Sequence, residues 1–92
     1  MARVIVTFKV MPESAEVDLN QVKELVKKHV EEFDGILNGE MTEEPVAFGL
    51  KAVKASFSYD ESKGSSDDLE EKLVAEELVQ SVEVLSVGRA MG

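Results

Sequence analysis

The chain has 92 residues, 43% hydrophobic and 32% charged, which fits one globular domain over residues 1–92 rather than a disordered or fibrous chain. It contains no cysteine, so disulfide frameworks and thiolate metal sites are excluded. Ten Lys and Arg against nineteen Asp and Glu give a net charge of −9, which opposes approach to nucleic-acid phosphates and suits a basic protein surface as partner.

The start, MARVIVTFKV, is interrupted by polar residues and is too short for a bilayer span or the apolar stretch of a signal peptide. The expected setting is therefore cytoplasmic, with no membrane contact. Residues 3–10 largely alternate, with Val4, Val6, Phe8 and Val10 on one face and Arg3, Thr7 and Lys9 on the other. Ile5 is an apolar exception on the outer face. Period two predicts a half-buried strand. The loop MPESAEV leads to Asp18. Asp18 and Gln21 have capping-box spacing, in which the carboxylate meets a backbone N–H and Gln21 reaches back. The helix that follows runs to about Phe33. Leu19, Val22, Leu25, Val26, Val30 and Phe33 recur at helical spacing, and Lys23, Glu24, Lys27, Lys28, Glu31 and Glu32 form the solvated face. Asp34-Gly35 ends it, with Gly35 expected to take the left-handed cap.

Ile36 to Glu44 reads as a weak strand, broken by polar residues and so expected at a sheet edge. A turn at Pro45 leads to a long strand over roughly residues 47–59, where Val53, Ala55, Phe57 and Tyr59 oppose Lys54, Ser56 and Ser58. DESKGSSDD is a loop by composition. Ser66 or Asp67 caps a second helix over roughly residues 67–77, with Leu69, Leu73 and Val74 inward and Glu70 in capping-box position. Ser81 to Arg89 is the last strand. Val82 and Val84 alternate in it, but Leu85 and Val87 fall out of phase, which predicts a bulge. The order β-α-β-β-α-β predicts an α+β, ferredoxin-like sandwich: a four-stranded antiparallel sheet with both helices on one face.

Most catalytic constellations are missing from this sequence. His29 is its one histidine, and a histidine-based metal site needs more nitrogen or sulfur ligands than the chain offers. Its place beside Val26, Val30 and Phe33 fits a helix-boundary residue. No GxxxxGK[ST] or GxGxxG loop is present to cradle phosphates. The acid pairs Glu31-Glu32, Glu43-Glu44, Asp67-Asp68 and Glu76-Glu77 read as solvated surface, since general acid–base work requires a concave, partly desolvated site. The open sheet face offers Thr7, Lys9, Lys54, Ser56 and Ser58, with no aromatic to stack RNA bases. Oxygen-only magnesium binding stays open, since such sites need few protein ligands; with that exception we expect no metal, no cofactor, no direct nucleic-acid contact and no enzyme activity.

Three stretches carry a family resemblance: KVMPES after the first strand, EEPVAFGLKAV at the start of the third, and VQSVEVLSVGRAMG at the end. With the length and element order, they resemble the archaeal type of translation elongation factor 1-beta, a guanine-nucleotide exchange factor family. The resemblance covers the whole chain, and EEPVAFGL is its most specific part. It implies a domain that binds elongation factor 1-alpha in its GDP or nucleotide-free form, loosens GDP and lets GTP replace it. In eukaryotic relatives a lysine near the C-terminus is thought to intrude on the nucleotide site. Aligning on VQS puts Arg89 at that position, followed by Ala90, Met91 and Gly92.

The resemblance also implies that the AFG stretch lies near the GTPase-facing end of the sheet. Phe48 then serves as an aromatic anchor or as ordinary core, Gly49 allows close backbone approach, and Lys51 is a weaker contact. The partner-binding candidates are thus Phe48, Gly49, Lys51, Arg89 and Met91, expected to share one rim of the sheet in a protein that is monomeric when free. The alternative is a ferredoxin-like small-molecule-sensing regulatory domain, and a weaker one an RNA-binding module.

Overall fold

The computed structural model describes residues 3–46 and 49–90. Strand β1 covers Arg3–Pro12, helix α1 Leu19–Glu32, β2 Ile36–Leu37, β3 Thr42–Pro45, β4 Lys51–Asp60, α2 Asp67–Val74 and β5 Val79–Ala90, with a 3-10 turn at Glu61–Lys63. The sheet order is β2-β4-β1-β5, and β3 pairs with β4 on the same edge as β2. Every pairing is antiparallel. The weak second strand is therefore at the edge, as its polar interruptions predict, but it is split into β2 and β3 around Gly39, whose φ is 72°. Counted as one broken edge strand, the two pieces complete the ferredoxin-like arrangement.

Alternation decides which side chains enter the core. Val6, Phe8 and Val10 of β1 face Phe57, Ala55 and Val53 of β4, and all six are buried. Val22, Val26 and Val30 of α1 and Leu69 and Leu73 of α2 cover the same face. Burying each of these aliphatic side chains is worth roughly 1.5–3 kcal/mol relative to exposure. Phe57 stands at the centre of an aromatic group, edge-on to Phe8 at 5.5 Å and to Phe33 at 6.3 Å, and stacked on Tyr59 at 5.8 Å.

Asp18 caps α1 by accepting from the Asn20 N–H at 2.9 Å. Gln21 joins the cap through its backbone N–H, which donates to the Asp18 carbonyl at 3.0 Å, and its side chain makes no return bond among the described residues. At the other end the left-handed residue is Asp34, with φ 60°, and not Gly35. The Asp34 N–H donates to the Glu31 carbonyl and the Gly35 N–H to the Val30 carbonyl, at 3.0 and 2.8 Å. That bonding pattern is a Schellman cap with aspartate in the position glycine usually fills. Gly35 is needed for room instead, since a Cβ there would lie 3.0 Å from Phe57 Cδ2 and 3.1 Å from Val30 Cγ1.

The second helix is shorter than its pattern predicts and ends at Val74, which is 48% exposed and not part of the core. Ser66 holds the cap position, but its hydroxyl donates to the Glu70 carboxylate at 2.8 Å and accepts no N–H of the first helical turn. Beyond this helix, Glu76 is half-buried and 2.9 Å from His29 Nε2, so one member of an acid pair read as solvated ties α1 to the segment after α2. In β5 the register with β1 slips between Thr7/Ser86 and Phe8/Val84, leaving Leu85 as the extra residue of the predicted bulge.

Candidate functional site

Strands β4 and β5 both pair antiparallel with β1, so they run the same way. The start of β4 and the end of β5 consequently lie at opposite ends of the sheet. Arg89 pairs with Val4, and Val4 with Tyr59, near the end of β4. Gly49 and Lys51 stand at its beginning, beside Pro12, Ser14 and Val17 around a depression of about 240 Å³. The eight steps of strand from Lys51 to Tyr59 span about 26 Å, in a molecule whose longest dimension is 42 Å. The expected single rim shared by Gly49, Lys51 and Arg89 is thus corrected: the structure brings the first two together and leaves Arg89 far from both. Phe48 and Met91 lie outside the described residues.

The near end of the hairpin is built by ordinary turn chemistry. The Val46 N–H donates to the Leu50 carbonyl at 2.8 Å, and Gly49 has φ 75°, a conformation that other residues adopt only with strain. The β4 ladder therefore begins at Lys51, later than the pattern predicts, and the turn follows Val46 rather than Pro45. Both Gly49 and Lys51 are exposed.

The Arg89 end has a different character. Arg89 lies in the phase of Val4, Val6 and Tyr59, so its side chain leaves the helix-covered face of the sheet. It is 72% exposed, with one guanidinium nitrogen 3.5 Å from Glu61 of the 3-10 turn. An exposed pair of this length holds an arginine only weakly. Arg3, one rung further out, turns to the open face and donates to Ser58 through Nε at 3.3 Å and through a terminal nitrogen to the Ser58 carbonyl at 3.0 Å. Both arginines of the sequence therefore stand at one end of the sheet, a coincidence that composition hides and the antiparallel register reveals. Lys63 adds a third cation there, 5.0 Å over the Phe33 ring and 3.5 Å from Asp34.

The acidic groups at this end are equally placed. Asp60 accepts from the Ser62 N–H at 2.9 Å. That backbone bond, with the Ser62 side chain and the nearby Arg3 charge assisting, holds its carboxyl below the usual aspartate value. The Tyr59 hydroxyl donates to the Gly64 carbonyl at 2.8 Å. Burial pushes its ionisation up, and the Asp67 and Glu70 charges add to that. A groove of about 470 Å³ opens beside Arg89 between β5 and the Gly64–Ser65 loop, floored by Val4, Tyr59 and Val87. Among the described residues no three His, Asp or Glu side chains converge as metal ligands, and no helix is long and apolar enough to cross a membrane. What this end offers is an exposed cation near the end of an edge strand, held by one long ion pair among the described residues.

Comparison with known proteins places this geometry in a family. The family model described as "EF-1 guanine nucleotide exchange domain" matches residues 5–90. The chain is similar to elongation factor 1-beta of Methanosphaera stadtmanae, 40% identical over 91 residues that cover 99% of this chain and 100% of the relative. It is also similar to elongation factor 1-beta of Methanococcus maripaludis, at 42% identity over 95% of this chain and 97% of the relative. Among solved structures, the C-terminal domain of the MgtC protein from Mycobacterium tuberculosis superposes with a TM-score of 0.62 at 14% identity, covering 96% of this chain and 87% of that one. That likeness shows the fold alone. The family match over residues 5–90 and the relatives aligned over nearly their whole length establish that the chain belongs to the archaeal-type elongation factor 1-beta family of guanine-nucleotide exchange factors, proteins of translation elongation.

Proposed function

We propose that residues 1–92 form one exchange domain that binds elongation factor 1-alpha, in its GDP or nucleotide-free form, and promotes GDP release and GTP loading. The observation that carries this reading is Arg89, an exposed guanidinium at the end of an edge strand laddered to β1, whose one ion pair among the described residues is a 3.5 Å contact with Glu61. A GTPase holds GDP through phosphate-loop donors and a Mg²⁺ ion. A cation pushed toward that ion competes with it electrostatically, while the sheet behind keeps the cation from yielding. Arginine is permanently charged and forked, so it suits an anionic pocket lined by carboxylate or phosphate oxygens. Met91 enters as a flanking contact. Gly49 and Lys51 form a second contact, separated from the first by most of the sheet's length, and Phe48 enters as a further partner contact. The free protein is a monomer that needs no cofactor, and it meets neither nucleic acid nor membrane directly.

The test is linkage. GDP and the exchange factor must weaken each other's binding to the GTPase by the same factor. Titrating the protein into elongation factor 1-alpha carrying a fluorescent GDP analogue is expected to speed analogue release. Titrating GDP into the preformed complex is expected to dissociate it with matching coupling. Release at the spontaneous rate, with the complex indifferent to GDP, would remove the proposal.

A further inference from the structure

The groove beside Arg89 exists because β5 outruns the helix that should cover it. Val87 pairs with Val6, which is 1% exposed, and so occupies a core-facing position; yet Val87 is itself 64% exposed, the most exposed large apolar side chain among the described residues. Helix α2 has eight residues and packs against β5, where Val82 and Val84 are partly buried against the core while Val87 stays exposed. The resulting trough continues past Val87 to Val6 and Val84, where its far wall is the first turn of α2 with Asp67 and Glu70. Its floor is apolar, one wall is acidic, and one end is closed by Arg89.

We infer that this trough is a docking site for a segment of the GTPase that places an apolar side chain on Val87 and Val4 and a lysine or arginine against Asp67 and Glu70. The inference rests on the exchange reading above and adds to it the surface that aims Arg89. Two features select this occupant. A partner seated here covers an apolar strip that is continuous with Arg89 itself, so docking and insertion share one approach direction. The two carboxylates on the wall, in a chain of net charge −9, complement a basic partner and repel a second copy of the same chain. Small-molecule occupancy fits less well, because the trough is open along its length and its polar groups, Ser66, Asp67 and Glu70 at one end and Arg89 at the other, line separate parts of it rather than one enclosed pocket.

The experiment compares the wild type with Val87→Thr, Val87→Asp and Asp67→Asn, reading the affinity for nucleotide-free elongation factor 1-alpha by calorimetry and the GDP-analogue release rate by stopped flow. Val87→Thr keeps shape and strand preference, and is expected to weaken binding by about three- to tenfold; Val87→Asp is expected to weaken it by more than about thirtyfold. Asp67→Asn is expected to weaken binding less and to flatten its salt dependence. Thermal unfolding of each variant separates lost docking from lost folding. If Val87→Asp unfolds, the other two variants still decide. Wild-type exchange with all three variants unaltered overturns the docking site and leaves the exchange reading intact. Failure of the wild type to bind or exchange overturns both. A concentration-dependent dimer in ultracentrifugation that Val87→Asp abolishes assigns the trough to a second copy and overturns the inference as well.

Discussion

Replacing Gly35 by alanine sets two effects of known size against each other. At an unstrained site, removing a glycine stabilises a protein by about 0.4–1 kcal/mol, because the unfolded chain loses freedom. Gly35 has no positive φ to forbid the change. The added Cβ, however, would sit 3.0 Å from Phe57 Cδ2, 3.1 Å from Val30 Cγ1 and 3.3 Å from the Val30 carbonyl oxygen. Neither side chain has anywhere to go. Val30 is 0% exposed and Phe57 1% exposed, and Phe57 is fixed on three sides by Phe8, Phe33 and Tyr59. Overpacking of this kind costs about 1–3 kcal/mol. Three simultaneous short contacts with buried groups put the cost in the upper half of that range, which leaves a net loss of about 1–2.5 kcal/mol, or a fall in Tm of roughly 5–20 °C for a domain of this size. Asp34→Gly, one residue earlier, is expected to change stability in the opposite direction, by up to about 0.5 kcal/mol, since it relieves a left-handed aspartate. The pair it loses, Asp34 with Lys63 at 3.5 Å, is exposed and contributes little. Urea unfolding of both variants reads the result. A Gly35→Ala protein as stable as the wild type, or more so, would refute the steric account of the helix C-terminus.

Other consequences follow from single contacts. Tyr59→Phe removes the hydroxyl bond to the Gly64 carbonyl and is expected to cost about 0.5–1.5 kcal/mol at neutral pH. The folded-state ionisation of Tyr59 is raised, so above the ordinary tyrosine range near pH 10 the unfolded chain gives up its proton first. Stability must therefore fall as pH rises beyond 10, and the phenylalanine variant must fall less steeply in a pH series of melting curves. Asp18→Ala removes the cap on Asn20 and is expected to cost about 0.5–2 kcal/mol by urea denaturation, whereas Gln21→Ala is expected to cost only the small difference in helix preference.

Local pattern carried much of this fold. Period-two alternation in β1 and β4 named Val6, Phe8, Val53, Ala55, Phe57 and Tyr59, and all of them are buried. The break in phase after Val84 marked the bulge, because a strand can change face only by inserting a residue. What local pattern could not carry was competition between neighbours. Asp34 takes the left-handed position because Gly35 is the residue that must pass under Phe57, a contact between segments far apart in sequence. Val74 matches the apolar stripe of α2, but the helix stops there and the sheet does not reach it. His29 matches no stripe residue in type, yet the Glu76 carboxylate makes its burial tolerable.

The sequence named candidate residues, and their assembly on one rim was misjudged. The order β-α-β-β-α-β already requires the third and last strands to run in parallel directions, which separates the start of one from the end of the other. The family resemblance drew Gly49, Lys51 and Arg89 onto one rim against that topological fact. Arg3 showed the reverse failure. Alternation placed it on the outer face, but only the register of β1 with β4 and β5 brings it to the same end as Arg89. Val87 gave a usable signal, being an apolar residue out of phase in an otherwise regular strand. Its meaning depends on how short α2 turned out to be.

The central claim is that Arg89 drives nucleotide release and does not merely hold the complex together. It is tested most directly by Arg89→Ala in a single experiment that reads both quantities, the affinity for nucleotide-free elongation factor 1-alpha and the maximal rate of GDP-analogue release at saturating exchange factor. The account predicts affinity within about threefold of the wild type, as expected of one rim charge, with the release rate falling toward the spontaneous value and Arg89→Lys restoring part of it. A variant that releases GDP as fast as the wild type at saturation, its defect confined to affinity, would contradict the account.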